Sequence, residues 1–129
     1  MDAPFRATYQ TKRMLYEMML CAEHRGAYVG YVRGEFSRTL TGFFQGVSSA
    51  FRFPYTFSWS WESLDACFRD LEWLSFSQLL WVISQPEKLF AQEEDHMAHV
   101  NALQRSIAAA ASFWRERQIP FDCVLNLFE

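Results

Sequence analysis

The sequence lacks the features that mark membrane-spanning, secreted and disulfide-rich proteins. No apolar run approaches the ~20 residues that a transmembrane helix needs. The first ten residues, MDAPFRATYQ, do not have the charged and then apolar layout of a signal peptide. The three cysteines cannot all pair and none belongs to a CxxC motif, so we expect buried free thiols. These absences predict a cytoplasmic protein, because thiols stay reduced in that compartment.

The common patterns of catalytic and cofactor sites are also missing. The chain has no Gly-rich phosphate loop and no GxSxG motif. His96 and His99 have an HxxH spacing beside the acidic residues 93–95, which could place two metal ligands on one helix face. We interpret this segment instead as a charged helix start capped by Asp95. Cys67 could act as a nucleophile with a distant histidine, but it lies on the apolar face of its predicted helix. We therefore predict a non-enzymatic protein with no catalytic residues, no cofactor and no metal site.

Hydrophobic residues, by contrast, are abundant. They make up 50% of the 129 residues, and aromatic residues alone make up 18%. This composition is too apolar for a disordered chain. No repeat, low-complexity tract or linker interrupts the sequence. We therefore predict a single domain over residues 1–129, a length at which roughly two-thirds of the unfolded surface can be buried.

The net charge of −3 is distributed unevenly. Residues 1–50 carry six basic and four acidic side chains, whereas residues 51–129 carry six basic and eleven acidic ones. Eight of these acids lie within residues 62–95, where Arg69 and Lys88 are the only basic side chains. A field of this sign repels nucleic acid and favours a basic protein partner, although an acidic surface can also serve solubility alone.

The hydrophobic periodicity predicts an α/β fold. Residues 78–84, QLLWVIS, are continuously apolar, which is typical of a strand in a parallel sheet covered by helices on both faces. Because the predicted strands are separated by helices, right-handed crossovers and parallel pairing follow. We predict a small three-stranded parallel β-sheet flanked by helices, with residues 1–26 as an N-terminal extension that is mainly helical. The predicted strands are 27–32, 78–84 and 122–128, and the predicted helices are 12–23, 40–51, 61–71, 86–92 and 96–117.

The most distinctive segment is FPYTFSWSWESLDACFRDLEWL, residues 53–74. Its first nine residues alternate large aromatics with smaller residues, which fits a strand, but Pro54 is tolerated only at a sheet edge. Apolar residues then recur at helical spacing, with Ser60 as the predicted N-cap and Glu62 in the first turn. We therefore predict an aromatic loop that leads into a helix with an acidic exposed face.

The aromatic residues of this loop divide by position. We expect Phe53, Phe57 and Trp61 to lie in the core, and Tyr55 and Trp59 to be exposed. Exposed aromatics beside a pre-ordered acidic helix suit a protein–protein interface. A sugar-stacking platform is the alternative, but carbohydrate-binding modules are mostly all-β and secreted.

Residues 53–74 also resemble the signature of the barstar family, which has the form FPxYFGxNWDALxDCLxDLxWL. The segment GEFSRTLTGFFQGVSSAFRFP upstream and FDCVLNL downstream resemble the family's strand-turn-helix lead-in and last strand. The resemblance covers residues 27–128 in outline and leaves residues 1–26 without a counterpart. The match with the signature covers Phe53, Pro54, Phe57, Trp59, Trp61, Leu64, Cys67, Arg69, Asp70, Leu71, Trp73 and Leu74.

The resemblance implies a non-enzymatic immunity protein. Such a protein binds a cognate toxin, a ribonuclease or another polymorphic bacterial toxin, and occludes its basic active site. It implies a protein partner, with no direct contact to nucleic acid and no membrane. The alternative is a barstar-fold adaptor or regulator that binds a non-toxin protein. The oligomeric state stays open, with a monomer favoured, because the Ala-rich residues 106–114 suit either close helix packing or a dimer interface.

Partner-binding residues transfer from the family only in part. Glu62 falls at the family's first helix carboxylate, Asp65 at a variable position that often faces the partner, and Ala66 where the family usually has a second acid. Asp65 and Arg69 are four residues apart and can pair. Because Ala66 lacks the second acid, we hypothesise that the cognate toxin is not a standard barnase-like ribonuclease, or is bound through different contacts. The predicted partner-binding residues are Tyr55, Thr56, Trp59, Ser60, Glu62, Asp65, Ala66 and Arg69.

Overall fold

The computed structural model describes residues 5–127. Helices separate its successive strands, and every pair of neighbouring strands is parallel, so the predicted α/β class and the parallel sheet are confirmed. Within the described range, no helix is long and apolar enough to cross a membrane. The strands are β1 (Phe5–Thr8), β2 (Ala27–Arg33), β3 (Gln78–Ser84) and β4 (Phe121–Asn126), and the helices are α1 (Lys12–His24), α2 (Leu40–Phe51), α3 (Trp61–Phe68) and α4 (His96–Arg115), with 3-10 turns at Gly34–Phe36 and Pro86–Lys88.

The sheet has four strands in the order β1-β4-β3-β2, so the prediction of three strands is wrong. The additional strand, β1, pairs with β4 from Phe5 opposite Cys123 to Thr8 opposite Asn126. The Asn126 side chain also accepts hydrogen bonds from Thr8 Oγ1 at 2.9 Å and from the Gln10 N–H at 2.7 Å. Backbone pairing and this buried amide hold a strand whose four residues contain no apolar run. The N-terminal extension therefore contributes a strand as well as the predicted helix.

Helix α1 covers one face of the sheet. A right-handed crossover from β1 to β2 passes across the whole sheet, on the face opposite the other helices. Its Thr11 N-cap accepts a hydrogen bond from the Met14 N–H at 3.2 Å. The apolar side of α1 forms a separate small core with the sheet. This core contains Leu15, Met19, Ala22, Leu80, Val82 and Val124, with Met18, Ala27 and Val29 packed against it.

The main core lies on the other face of the sheet, under α2, α3 and α4. Alternate residues of β3 divide between the two faces: Leu79, Trp81 and Ile83 join the main core, whereas Leu80 and Val82 pack under α1. This two-sided burial explains why the strand is apolar at nearly every position. Its observed bounds, 78–84, are those that the sequence predicted.

Candidate protein-binding site

The aromatic segment before α3 is a loop, as predicted, and not a strand. The Phe57 N–H donates to the Pro54 carbonyl oxygen at 3.0 Å, which closes a turn directly after the proline. Phe53 and Phe57 are 9% and 6% exposed, whereas Tyr55 is 99% and Trp59 is 46% exposed. The turn thus directs alternate aromatic side chains into the core and into solvent.

Two serine side chains connect this loop to the start of α3 through hydrogen bonds. Ser60 is the N-cap, as predicted, and its Oγ accepts a hydrogen bond from the Ser63 N–H at 3.1 Å. Ser63 Oγ in turn accepts from the Ser58 N–H at 3.0 Å. Trp59, between them, has a φ of 59°, a conformation that costs energy for a residue other than glycine. The two bonds support this backbone, and so they fix the exposed Trp59 relative to the helix.

The outward face of α3 presents a carboxylate, then a small residue, then a cation. Glu62 is exposed in the first turn, where the helix dipole favours a negative charge. Ala66 and Arg69 are exposed as well. We call the eight predicted partner-binding residues the loop–helix surface; the structure places all of them on this loop and the exposed side of α3.

Asp65 does not form the side-chain ion pair with Arg69 that the spacing permits, although both residues are described. The Arg69 N–H donates instead to the Asp65 backbone oxygen at 3.1 Å. The residue is half-buried, and within the described chain its buried Oδ1 has no hydrogen-bond partner. A buried acceptor left unpaired costs free energy, so this oxygen lowers the stability of the fold.

A histidine links the start of α3 to the start of α4. Trp61 Nε1 donates to His99 Nδ1 at 3.4 Å, and His99 Nε2 lies 3.2 Å from Asp95 Oδ1. Glu93 Oε2 accepts from the Leu40 N–H at 2.8 Å, at the start of α2. Three helix N-termini therefore meet beside these carboxylates, whose charge complements the helix dipoles. The charges of Glu93 and Asp95, which belong to the acidic stretch 62–95, are thus partly balanced by the helix dipoles within the protein.

Three details at these helix starts go beyond the sequence prediction. Asp95 is the N-cap of α4, as predicted, but its side chain makes no capping bond and contacts His99 instead. Ser63 occupies the position of the second capping-box residue, three after the N-cap Ser60, but its Oγ accepts from the Ser58 N–H and not from the N-cap N–H. The contact between Trp61 and His99 spans 38 positions and has no local sequence signal.

The geometry does not favour a metal ion at this junction. Glu93, Asp95 and His99 each offer one possible ligand atom within 4.8 Å of the others, whereas His96 is not part of this group. Because Nδ1 of His99 accepts from Trp61, the neutral ring carries its proton on Nε2, facing Asp95. A metal at Nε2 would require the other tautomer and would set its Nδ1–H against the Trp61 N–H.

The cysteines have no arrangement that favours nucleophilic chemistry. Cys67 and Cys123 are buried, as predicted, but Cys21 is exposed, because it lies on the side of α1 that faces away from the sheet. Burial, and secondly the Asp70 carboxylate, raises the pKa of Cys67. Burial likewise raises the pKa of Cys123 far above that of a free thiol. Raised pKa values disfavour the reactive thiolate.

The far end of α3 is also fixed by α4. Trp114 Nε1 donates to the Phe68 carbonyl oxygen at 2.6 Å. The helix ends at Phe68 rather than at the predicted Leu71, which has a φ of 49° and still lies buried in the core. Both ends of α3 are therefore anchored to α4 by tryptophan hydrogen bonds.

Comparison with known families gives one match. The family model described as Barstar (barnase inhibitor) matches residues 27–126, which run from β2 to the end of β4. The match includes the loop, α3 and α4, and begins after β1 and α1. No curated protein matches the chain significantly.

Proposed function

The chain belongs to the barstar family, whose members are inhibitors rather than enzymes, and we propose that it is an immunity protein that binds a toxin and blocks its active site. We assign the contact to the loop–helix surface. The observation that carries this proposal is the combination of the exposed Tyr55 and Trp59 with two carboxylates on a helix anchored at both ends. Rigid aromatics provide contact area at a small entropic cost, as hot spots of interfaces require.

The carboxylates would supply the charge that a basic active site needs. Glu62 lies exposed at the positive end of α3, and Asp65 keeps one oxygen without a partner inside the described chain. The exposed Glu62 can accept charge-assisted hydrogen bonds from arginine or lysine side chains of a toxin, and the half-buried Asp65 adds negative charge beside it. Binding would then occlude the active site sterically while neutralising its charge.

The identity of the toxin depends on Ala66. The family usually has an acid at this position, and the exposed methyl group here cannot replace one. Removing one partner of a buried charge pair at an interface costs about 2–5 kcal/mol. We therefore propose that the cognate toxin differs from a standard barnase-type ribonuclease or meets this surface through other contacts.

Co-expression with the protein encoded beside this gene tests the proposal. We expect cell survival and co-purification with the unmodified chain, and loss of both with Glu62→Arg and with Trp59→Ala. The matched control is Tyr9→Ala, since Tyr9 is 73% exposed but lies between β1 and α1. If the Glu62 and Trp59 variants protect cells as well as the control does, the loop–helix surface is not the contact.

A barstar-fold adaptor is the second candidate, and the missing acid at Ala66 favours it. In that case the same surface would bind a protein that is not toxic. Co-purification of the neighbouring gene product without any effect on cell survival would support the adaptor. Protection from toxicity would exclude it.

A further inference from the structure

The two edges of the sheet differ in how well they are protected against pairing with another strand. At one edge, β1 is only four residues long and carries the exposed Arg6. At the other, β2 is seven residues long, AYVGYVR, and has no proline and no charge before Arg33. Within the described residues, β2 pairs with β3 alone, so its outer side has no strand beside it. Long uncharged edges invite pairing with another strand, and proteins usually shorten or charge them.

The sequence of β2 is complementary to itself in one antiparallel register. If two copies meet about a two-fold axis at Gly30, Tyr28 lies opposite Val32 of the second copy, and Val29 lies opposite Tyr31. Every one of these pairs joins an aromatic to a β-branched side chain, a combination that stabilises antiparallel strands. Opposite residues point to the same face of a sheet, so each Tyr31 would pack beside the other copy's Val29 on the α1 face.

Grooves on both faces of the sheet leave room for this contact. On the α1 face, a groove of about 300 Å³ is lined by Leu15, Tyr16, Met19 and Tyr31, the last of which is 38% exposed. On the α2 face, a groove of about 240 Å³ borders the same strand. It is lined by small side chains of α2, namely Gly42, Gly46, Ser49 and Ala50, together with Val32 and Phe36. Lys12 and Arg33 also line the groove on the α1 face, and Tyr31 and Arg33 also line the groove on the α2 face. Side chains from a second β2 edge would therefore meet apolar and small residues together with two basic ones.

Neither end of β2 carries an excess of one charge. Arg33 and Glu35 form an ion pair at the carboxyl end. At the amino end, the basic Arg52 and the acidic Glu23 both act electrostatically on the Tyr28 hydroxyl group.

We propose that two copies of this chain associate through their β2 edges, antiparallel about Gly30, and form one continuous eight-stranded sheet from two sheets of four. The self-complementary register identifies a second copy, rather than an unrelated extended peptide, as the occupant, because a two-fold interface brings the same surface of both copies together. The dimer does not depend on the proposed toxin contact, which uses the loop and α3. The sequence favoured a monomer, and the experiments below distinguish the two states.

Cross-linking tests the register directly. Two separately tagged variants, Val29→Cys and Tyr31→Cys, are prepared in a Cys21→Ser background, because Cys21 is the exposed native thiol. Directly opposite residues of antiparallel strands lie about 4.5–5.5 Å apart at Cα, which suits a disulfide. Gly30 itself is unsuitable as a probe, since an added Cβ would clash with the Phe51 ring.

We expect the mixed sample to form the 29–31 disulfide at least tenfold more than either variant alone forms a homodimer under mild oxidation. Light scattering of the unmodified protein should give the dimer mass, and Tyr31→Glu should raise the dimer dissociation constant at least tenfold with unchanged circular dichroism. Tyr9→Glu is the matched exposed control and should leave the mass unchanged. A monomer mass at every concentration, or equal cross-linking in all three samples, would overturn the proposal.

Discussion

The inward and outward sides of the segment 53–71 differ in what determines their residues. On the inward side Phe53, Phe57, Leu64, Phe68 and Leu71 are all at most 9% exposed and belong to the main core. On the outward side lie the residues of the loop–helix surface, which the packing of the core leaves free to vary. Four of these five inward residues match the family signature and Phe68 keeps a large apolar side chain where the signature has leucine, whereas the outward position Ala66 departs from it. Folding therefore preserves one side of this segment, and a partner can shape the other.

The largest expected effect is a loss of stability when a buried ring on the inward side is removed. Phe68 is 2% exposed, and its ring lies 5.1 Å from Trp81 and 4.9 Å from Phe51 between centroids. Phe68→Ala should lower the free energy of unfolding by about 3–5 kcal/mol, because it removes a buried ring and leaves a cavity. Urea unfolding followed by circular dichroism measures this, with the exposed Ala66→Ser as the control. A loss below about 1 kcal/mol would show that α3 is not part of the core.

Restoring the family's acid on the outward side should change which partner the protein prefers. Ala66→Asp adds a carboxylate one turn after Glu62, where a barnase-type enzyme would present basic groups. We expect the affinity for such an enzyme to rise at least tenfold, which is about 1.4 kcal/mol, and the affinity for the cognate partner to fall. Surface plasmon resonance with both partners measures the change. Equal affinities before and after the substitution would mean that position 66 does not face the partner.

Removing the N-cap of α3 should lower the free energy of unfolding by an intermediate amount. Ser60→Ala deletes the acceptor of the Ser63 N–H and should destabilise the protein by about 1 kcal/mol. Because Ser63 still holds the Ser58 N–H, the loop should keep its conformation. Thermal unfolding gives the loss of stability, and Ser60→Asp, which retains a cap, should recover most of it. Equal losses in the two variants would contradict the capping role.

The smallest expected effect is a decrease in stability at alkaline pH. Burial raises the pKa values of Cys67 and Cys123, whereas thiols of the unfolded chain titrate near pH ~8.5. Above that pH the unfolded chain releases protons that the folded chain retains, so the free energy of unfolding falls as the pH rises. Below that pH the thiols are neutral in both the folded and the unfolded chain, so their full contribution to the free energy of unfolding is retained. Melting temperatures between pH 7.5 and pH 10.5 should decline less in Cys123→Ala, whereas Cys21→Ser should follow the unmodified protein.

Features with a continuous local pattern could be predicted from the sequence. The strand 78–84 has the predicted bounds because burial on both faces makes almost every position apolar. Ser60 was predicted as the N-cap from the residue type and the helical spacing that follows it, and the structure confirms it. The burial of alternate aromatics in the loop was predicted from the same transition between two periodicities.

Features that depend on contacts between distant residues could not be predicted. Strand β1 is short and carries no apolar run; it forms because β4 offers an edge and Asn126 offers a buried amide. Asp65 and Arg69 have the spacing of an ion pair, but helical spacing permits a pair without requiring one. Which residues of the loop–helix surface contact a partner remains a prediction, because the packing within this chain does not depend on its contacts with another protein.

The most direct test of the account is the affinity of the co-purified partner for Tyr55→Ala, measured by calorimetry together with the variant's melting temperature. Tyr55 is 99% exposed, so its removal should leave the melting temperature within about 1 °C of the unmodified value while the affinity falls at least tenfold. That separation would show that the outward side serves binding and not folding. Unchanged affinity at an unchanged melting temperature would contradict the assignment of the loop–helix surface as the partner site.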